Sequence, residues 1–462
     1  MAGIGFELRK LLRKDSYFGL LRAYGYAGII SSGPWVLSIL VIMAIGLLTL
    51  GLLPDRSQEI WQFLVSVTYL VASSLSLSGI AQLLFTRFVA DRLFEKKDGT
   101  ILPNLIGLLT MMNLLAAAIG LTVLVTLFGG TPLLYRVEMF VGFVLLTNIW
   151  CITVFITGMK AYRQVLWAFF IGYSITFILG MALRRYDLEG LLGGFVIGQG
   201  ILFYILLFLV LRYYPGDRIA AFDIRHAKMT YRSLAFTGLF YNLGLWADKF
   251  LFWYNPATSE QVIGPLRASP IYDFPIFLAY LSIVPGMAVF LIRLETDFAE
   301  RYDAYYDAVR GGDTLAHIEL RLDRMVETVQ QGVYDIFKIQ GITVVALLLI
   351  APSLIDWLGF SQYYVPLFNI DIVAVGMQVL FMAILNVIFY LDKLKIALGL
   401  CLLFFVSNVL LTLLSMYLGA IFYGYGFAIS LMISSLAGLA FLDREFQKLT
   451  YQTFMLQRQG SR

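Results

Sequence analysis

Runs of apolar residues long enough to cross a lipid bilayer recur along almost the whole chain. Residues 36–53 and 201–211 are examples, the second with a glycine-rich lead-in. A helix needs about 20 apolar residues to cross roughly 30 Å of hydrocarbon. Charged residues make up only 14% of the chain, whereas a soluble domain carries about 25%. The sequence therefore predicts an all-α integral membrane protein.

Polar breaks divide the apolar sequence into about twelve candidate transmembrane helices. Turn signals such as Pro54-Asp55, Gly129-Gly130 and Asn255-Pro256 fall between them. The predicted spans are 28–53, 60–86, 101–129, 137–159, 164–183, 190–212, 232–254, 271–293, 333–353, 368–391, 394–417 and 420–442.

The distribution of basic residues predicts the orientation. With the N-terminus in the cytoplasm, most of the 34 lysines and arginines fall on the cytoplasmic side, as the positive-inside rule requires. The outer loops hold only Arg56, Arg136, Arg184, Arg185 and Arg267. We therefore expect a bacterial inner-membrane protein with both termini in the cytoplasm.

An even division of the spans predicts two six-helix lobes, as in transporters built from repeats. The predicted parts are an interfacial amphipathic helix at 1–24, an N-lobe at 25–212, a cytoplasmic linker at 213–231, a C-lobe at 232–442 and a cytoplasmic tail at 443–462. Within the C-lobe, residues 294–332 form the longest predicted loop. It has two apolar stripes at helical spacing, separated by Gly311-Gly312, which predicts a cytoplasmic helical hairpin.

Two cytoplasmic segments are candidate docking surfaces for partners. The first carries Arg9, Lys10, Arg13 and Lys14 on one face of a predicted interfacial helix. The simpler interpretation of this helix is a topology anchor near anionic lipid. The second is the hairpin, where acidic residues outnumber arginines; an acidic face is repelled by the lipid surface. Its candidate contact residues are Tyr302, Asp303, Tyr305 and Asp307, and the alternative is a solvated hairpin that packs on itself.

The seventh span is the most polar, because it contains both an acid and a base. Asn242, Trp246 and Lys249 share a helical face, and amides, ammonium groups and indoles suit a sugar ligand. Neighbouring positions on a helix point about 100° apart, so Asp248 is not expected to pair with Lys249. The alternative for Lys249 is that it snorkels outward. Trp253 continues the same face, but we expect it to serve as an interfacial aromatic anchor.

Other spans carry thinner polar stripes. Serine and threonine are also ordinary packing residues between membrane helices, so these positions are weaker candidates for a substrate path. Together they predict a mildly polar and nearly uncharged lumen, which suits a neutral, hydroxyl-rich solute better than an ion. The candidates are Ser74, Ser78, Gln82 and Arg87 in the second span, Gln378 and Asn386 in the tenth, and Asn408 in the eleventh.

Motifs for catalysis or cofactor binding are missing from the sequence. It contains no phosphate-binding loop of the G-x-x-x-x-G-K-[ST] type, and its two histidines, His226 and His317, both lie in predicted cytoplasmic loops. We therefore expect no enzyme activity, no cofactor, no metal and no nucleic-acid partner.

The N-terminal sequence resembles a known family. MAGIGFELRKLL at residues 1–12 and YGYAGIISSGPW at residues 24–35 are similar to the start of the PelG family, membrane transporters of the bacterial Pel exopolysaccharide system. The resemblance implies the V-shaped, two-lobed fold of the multidrug/oligosaccharidyl-lipid/polysaccharide flippase superfamily. It also implies a polymer rich in N-acetylgalactosamine, a cytoplasmic glycosyltransferase partner, a membrane-bound subunit that senses cyclic di-GMP, and an associated membrane subunit.

Three functions are thus open at this point. The first is translocation of a polysaccharide between the lobes. The second is an ion-coupled flippase of lipid-linked oligosaccharide, or a drug antiporter, of the same fold. Such coupling usually needs a deep carboxylate, for which Asp248 is the candidate. The third is a membrane scaffold that holds a polysaccharide synthase complex.

Overall fold

The computed structural model describes residues 17–52, 57–157, 162–214, 216, 218–226 and 229–455, and nearly all of them are helical. The first seven helices are α1 Tyr17–Leu52, α2 Ser57–Phe94, α3 Ile101–Leu127, α4 Leu133–Thr157, α5 Tyr162–Leu183, α6 Asp187–Tyr213 and α7 Met229–Tyr254. A small antiparallel hairpin follows, with strands β1 Glu260–Ile263 and β2 Leu266–Ala268. The remaining helices are α8 Pro270–Tyr280, α9 Ile283–Ile292, α10 Ala299–Gly311, α11 Leu315–Trp357, α12 Val365–Tyr390, α13 Leu394–Leu418 and α14 Tyr425–Met455.

Helices of this length and apolarity confirm the predicted class of fold. Among the described residues, nine segments are long and apolar enough to cross a membrane, or ten if the bent helix α1 is counted. One of the nine, Gln164–Tyr213, runs through both α5 and α6. Helix α7 has span length but falls outside this set, and it carries both Asp248 and Lys249. The predicted count of about twelve is consistent with this helix set.

Two compact units share the chain. One contains the described residues of Gly33–Phe274, and the other those up to Ser32 and from Pro275 onward. This division differs from the predicted lobe boundary at 213–231, because α7 packs closely against α2 in the first unit. A Cβ atom at Gly238 of α7 would lie 2.2 Å from the carbonyl oxygen of Gly79 of α2, so both helices need glycine at this crossing.

The first unit is built around α2. This helix packs on α4 and α7, while α5 packs on α6. The hairpin of β1 and β2 lies beside α7 and α2. Thr258, just before β1, donates to the carbonyl oxygen of Phe252 on α7 (3.0 Å). Tyr69 on α2 donates to the carbonyl oxygen of Arg267 on β2 (2.8 Å).

The second unit contains α9 to α14, with α12 and α13 packed on α14 and α11 packed on α12. A π-helical turn, Arg293–Phe298, joins α9 to α10. Helix α10 ends at Gly311 and is capped by Gly312, which has φ = +72°; α11 begins three residues later, at Leu315. Helices α10 and α11 pack on each other. Residues 294–332 therefore form a helical hairpin in this structure.

Helices α8 and α9 are two parts of one interrupted span. The side chain of Gln340 on α11 is buried at this break: its Nε2 donates to the carbonyl oxygen of Ser282 (3.0 Å), and its Oε1 accepts from the backbone N–H of Gly286 (3.1 Å). An interrupted helix leaves backbone groups without intrahelical partners, and this amide satisfies two of them.

Candidate functional site

A buried ion pair lies in α7, in the first unit. The Lys249 ammonium lies 3.0 Å from Oδ2 and 3.2 Å from Oδ1 of Asp248, and the side chains are 1% and 0% exposed. The expectation that these neighbours cannot pair is wrong. The Cα–Cβ directions do diverge, but the four flexible carbons of lysine allow its Nζ to return to the adjacent carboxylate.

Further contacts hold the pair. The Lys249 ammonium also donates to the carbonyl oxygen of Leu245 (2.9 Å) and lies 5.9 Å from the centre of the Trp246 ring. The Tyr272 hydroxyl donates to Oδ2 of Asp248 (2.6 Å), and the Tyr272 ring stacks on Phe252 at 3.9 Å. The ammonium is therefore compensated internally, and Lys249 does not snorkel outward.

A second buried carboxylate, Asp273, directly follows Tyr272 in the sequence. Its Oδ1 accepts from Nε1 of Trp253 (2.7 Å), and its Oδ2 accepts from the backbone N–H of Ser269 (3.0 Å) at the start of α8. Trp253 is buried and stacks on Tyr69 with a centroid distance of 4.4 Å. The expectation that Trp253 is an interfacial anchor is therefore wrong, because its indole N–H has a carboxylate partner inside the protein.

Sequence reasoning missed Tyr272 and Asp273. A local signal was available for Asp273: Ser269 and Pro270 open a helix, and an acid one turn later can bond back to the N-cap backbone, as in a capping box. No local signal connects Tyr272 to Asp248, since 24 residues and a hairpin separate them.

The predicted polar stripe of α2 lies beside Asn242. The Asn242 amide donates to the carbonyl oxygen of Leu75 (3.1 Å). Ser74 accepts from the Trp150 indole (3.0 Å), and Ser78 accepts from the Gln82 amide (3.0 Å). The structure therefore brings α2 and α7 candidates together as an internally bonded polar layer.

Arg87 lies at the far end of the α2 stripe. Its Nε forms a partly exposed ion pair with Asp91 (3.1 Å). This guanidinium is thus held at the helix end, more than two turns from Ser78.

In the second unit, the candidates on α12 carry hydrogen-bond acceptors that no described residue satisfies. Gln378 is buried, and its Oε1 accepts no hydrogen bond from the part of the chain that the structure describes. Asn386 donates to Oε1 of Glu295 (2.6 Å), but its own Oδ1 accepts none from the same residues. Asn408 on α13 is fully buried and accepts from Thr412 (3.0 Å). Of the three, Gln378 and Asn386 retain capacity for a further ligand.

The docking candidates on the hairpin at 294–332 differ in accessibility. Asp303 and Asp307 are exposed on α10. Tyr302 is half-buried and packs on Tyr390 at 5.3 Å. Tyr305 is fully buried, with its hydroxyl 3.3 Å from that of Thr453 on α14. Tyr305 therefore packs inside the unit and is not available to a partner.

The basic candidates of the predicted interfacial helix cannot be placed. Arg9, Lys10, Arg13 and Lys14 lie outside the described residues. Their role as a docking surface or a topology anchor stays a prediction.

Solved transporters share this fold. An outward-facing multidrug resistance MATE family transporter of the MOP superfamily matches with a TM-score of 0.63 and 13% identity, covering 98% of this chain and 99% of that one. A MATE structure in the straight conformation matches with a TM-score of 0.65 and 14% identity, covering 93% of this chain and 96% of that one. A MOP superfamily transporter from Pyrococcus furiosus, described as having a binding pocket of reverse polarity, matches with a TM-score of 0.60 and 13% identity. That match covers 97% of this chain and 99% of the other.

The helical architecture and these similarities define a multi-pass membrane protein with the fold of MOP superfamily transporters. No curated protein matches the sequence. The chain belongs to the PelG family, described as putative exopolysaccharide exporters (EPS-E), whose family model matches residues 1–454. The resemblance noted at the N-terminus is thereby confirmed over nearly the whole sequence.

Proposed function

We propose that this chain moves a Pel-like exopolysaccharide, rich in N-acetylgalactosamine, from the cytoplasm to the periplasm across the bacterial inner membrane. Both termini are on the cytoplasmic side. The family match over residues 1–454 is the observation that carries this proposal, and the transporter fold supports it.

The polar groups within the spans suit a neutral polymer. The single lysine deep in α7 is neutralised by Asp248. Apart from Arg87 near the end of α2, which is paired with Asp91, the remaining substrate-path candidates in the spans are amides, hydroxyls and the Trp246 indole. Buried polar atoms without partners are rare in native proteins and call for water or a ligand. Gln378 Oε1 and Asn386 Oδ1 are two such acceptors, and sugar hydroxyls and N-acetyl N–H groups are donors that would satisfy them.

Translocation takes place in concert with a cytoplasmic glycosyltransferase, and polymer growth drives the chain outward. A membrane subunit that senses cyclic di-GMP and an associated membrane subunit complete the assembly. The exposed carboxylates of Asp303 and Asp307 on α10 support a docking role for the hairpin, because they face away from the packed interior.

Replacement of Gln378 by leucine tests the substrate path. The change keeps the volume but removes the acceptor, so we expect glycan accumulation inside proteoliposomes containing the partner glycosyltransferase to fall at least tenfold. Co-purification of the glycosyltransferase should be unchanged. Gln331→Leu, at an exposed amide of α11, is the matched control. Unaltered export by Gln378→Leu would refute a role for α12 in the path.

The same vesicles distinguish the proposal from an ion-coupled flippase. Asp248, the carboxylate that the sequence suggested for such coupling, is fully buried and bonded to Lys249 and Tyr272. We therefore expect glycan accumulation to be independent of an imposed proton or sodium gradient, and Asp248→Asn to retain export. Gradient-dependent export that Asp248→Asn abolishes would support the ion-coupled flippase instead.

A further inference from the structure

A groove on the second unit has no role in the proposed substrate path. It has a volume of about 890 Å³ and lies between α11, α12 and α14. On α11 its lining runs from Leu322 to Phe337, a distance of about 22 Å at 1.5 Å per residue. Its floor is apolar, with Met377, Leu380 and Met432 among the lining residues.

The two ends of the groove differ in chemistry. The end that reaches into the predicted spans of α12 and α14 is lined by Met377, Met432 and Leu436. The other end lies in the predicted cytoplasmic segments and carries the carboxylates of Asp323, Glu327 and Asp443. The groove is thus apolar at membrane depth and acidic where it leaves the membrane.

The acidic end is not neutralised by lysines or arginines of its own helices. Arg324 on α11 and Arg444 on α14 are direct neighbours in sequence of two of the carboxylates, but neither lines the groove. Among the described contacts, Glu327 accepts from the Gln331 amide (3.3 Å) and Asp443 from the Gln447 amide (3.0 Å). Because both donors are neutral amides, they do not compensate the negative charge at the acidic end of the groove.

We propose that the groove receives the cytoplasmic half of a transmembrane helix from another membrane protein, one that carries lysine or arginine at its cytoplasmic end. Such ends are the rule for membrane helices, and they match the three carboxylates. An amphipathic or apolar helix laid into a hydrophobic groove is a recurrent mode of recognition. The two methionines suit it, because flexible thioethers adapt to the shape of a partner.

Anionic phospholipid fits the groove less well. Acyl chains would fill the apolar floor, but the anionic headgroups of the cytoplasmic leaflet would lie against three carboxylates. Aromatic side chains also remain open along the groove, with Tyr334 64% and Phe337 58% exposed. Aromatic residues of this kind are typical anchors of protein interfaces.

Two matched synthetic peptides test the proposal on the full chain reconstituted in phosphatidylethanolamine–phosphatidylglycerol vesicles. Both share one leucine–alanine transmembrane segment; one ends in three lysines and the other in three glutamates. Energy transfer from a labelled peptide to a dye on Lys448→Cys reports binding, since Cys151 and Cys401 are buried. We expect the lysine peptide to bind at least tenfold more tightly than the glutamate peptide.

Two variants with the same change in charge locate the interaction. Asp323→Asn/Glu327→Gln/Asp443→Asn should remove the preference for lysine, whereas Asp303→Asn/Asp307→Asn/Glu319→Gln, at exposed acids outside the groove, should leave it intact. Leu436→Trp should fill the groove and weaken binding of both peptides.

Three results would overturn the proposal. These are equal binding of the two peptides, an equal effect of the two triple variants, and no saturable binding at all. The last would favour lipid as the occupant of the groove.

Discussion

Removal of the Lys249 ammonium is the most direct test of the buried pair. Lys249→Met keeps most of the side-chain length but deletes a charge that donates to Asp248 and to the Leu245 carbonyl. Asp248 then remains as a buried carboxylate with the Tyr272 hydroxyl as its hydrogen-bond donor among these contacts. Breaking a buried ion pair in this way typically costs about 3–5 kcal/mol. We expect the lower end, about 3 kcal/mol, because the bond from Tyr272 persists.

The double variant Asp248→Asn/Lys249→Met separates the pair from general packing effects. Asparagine still offers an acceptor to Tyr272, and no unpaired charge remains. Replacement of a complete buried pair by neutral residues is often close to neutral. We therefore expect the double variant to be more stable than Lys249→Met by about 2 kcal/mol or more, a coupling that a double-mutant cycle measures directly.

The assay is reversible unfolding of the purified chain in mixed micelles by increasing sodium dodecyl sulfate, followed by tryptophan fluorescence. Lys338→Met, at an exposed lysine of α11, is the control and should be neutral. A loss below about 1 kcal/mol for Lys249→Met would refute the reasoning, since that is the range of an exposed pair. A double variant as unstable as the sum of the single variants would refute it as well.

Two further predictions use the same unfolding assay. Gly238→Ala should cost at least about 1–3 kcal/mol, because its Cβ would lie 2.2 Å from the Gly79 carbonyl oxygen and overpacking has costs of this size; Gly341→Ala, where nothing lies within 4 Å, should be neutral or slightly stabilising. Gln340→Leu should cost about 2 kcal/mol or more, because the Ser282 carbonyl and the Gly286 N–H both lose this partner. Gln331→Leu is its exposed control. If Gly238→Ala unfolds at the same sodium dodecyl sulfate midpoint as Gly341→Ala, the packing argument is contradicted. If Gln340→Leu unfolds at the same midpoint as Gln331→Leu, the hydrogen-bond argument is contradicted.

The helical spans were predictable because hydropathy is a local property of the sequence. Helix α7 illustrates the limit, since its length is that of a span while Asp248 and Lys249 lower its apolarity. The hairpin at 294–332 was also predictable, because two apolar stripes flank a pair of glycines, of which Gly312 adopts a positive φ.

The partners of the polar residues were not predictable, because they depend on contacts between distant segments. Tyr305 lies on α10, whose acidic residues indicate an exposed helix. In the structure α14 buries this tyrosine, and its hydroxyl contacts that of Thr453. Trp253 lies near the end of a span, as an interfacial anchor would, yet Asp273 binds its indole from the next helix. In each case the local sequence pattern predicted the helix correctly but did not identify the distant residue that contacts the side chain.

The stability of the Asp248–Lys249 pair also decides how Asp248 can act in transport. Ion coupling through Asp248 would require its carboxylate to leave Lys249 and take up the coupling ion in each cycle. That step separates two charged groups that lie 3.0 Å apart in the interior of the protein. A large effect of Lys249→Met on stability would therefore weigh against ion coupling through Asp248 and favour a structural pair beside the path of a neutral polymer.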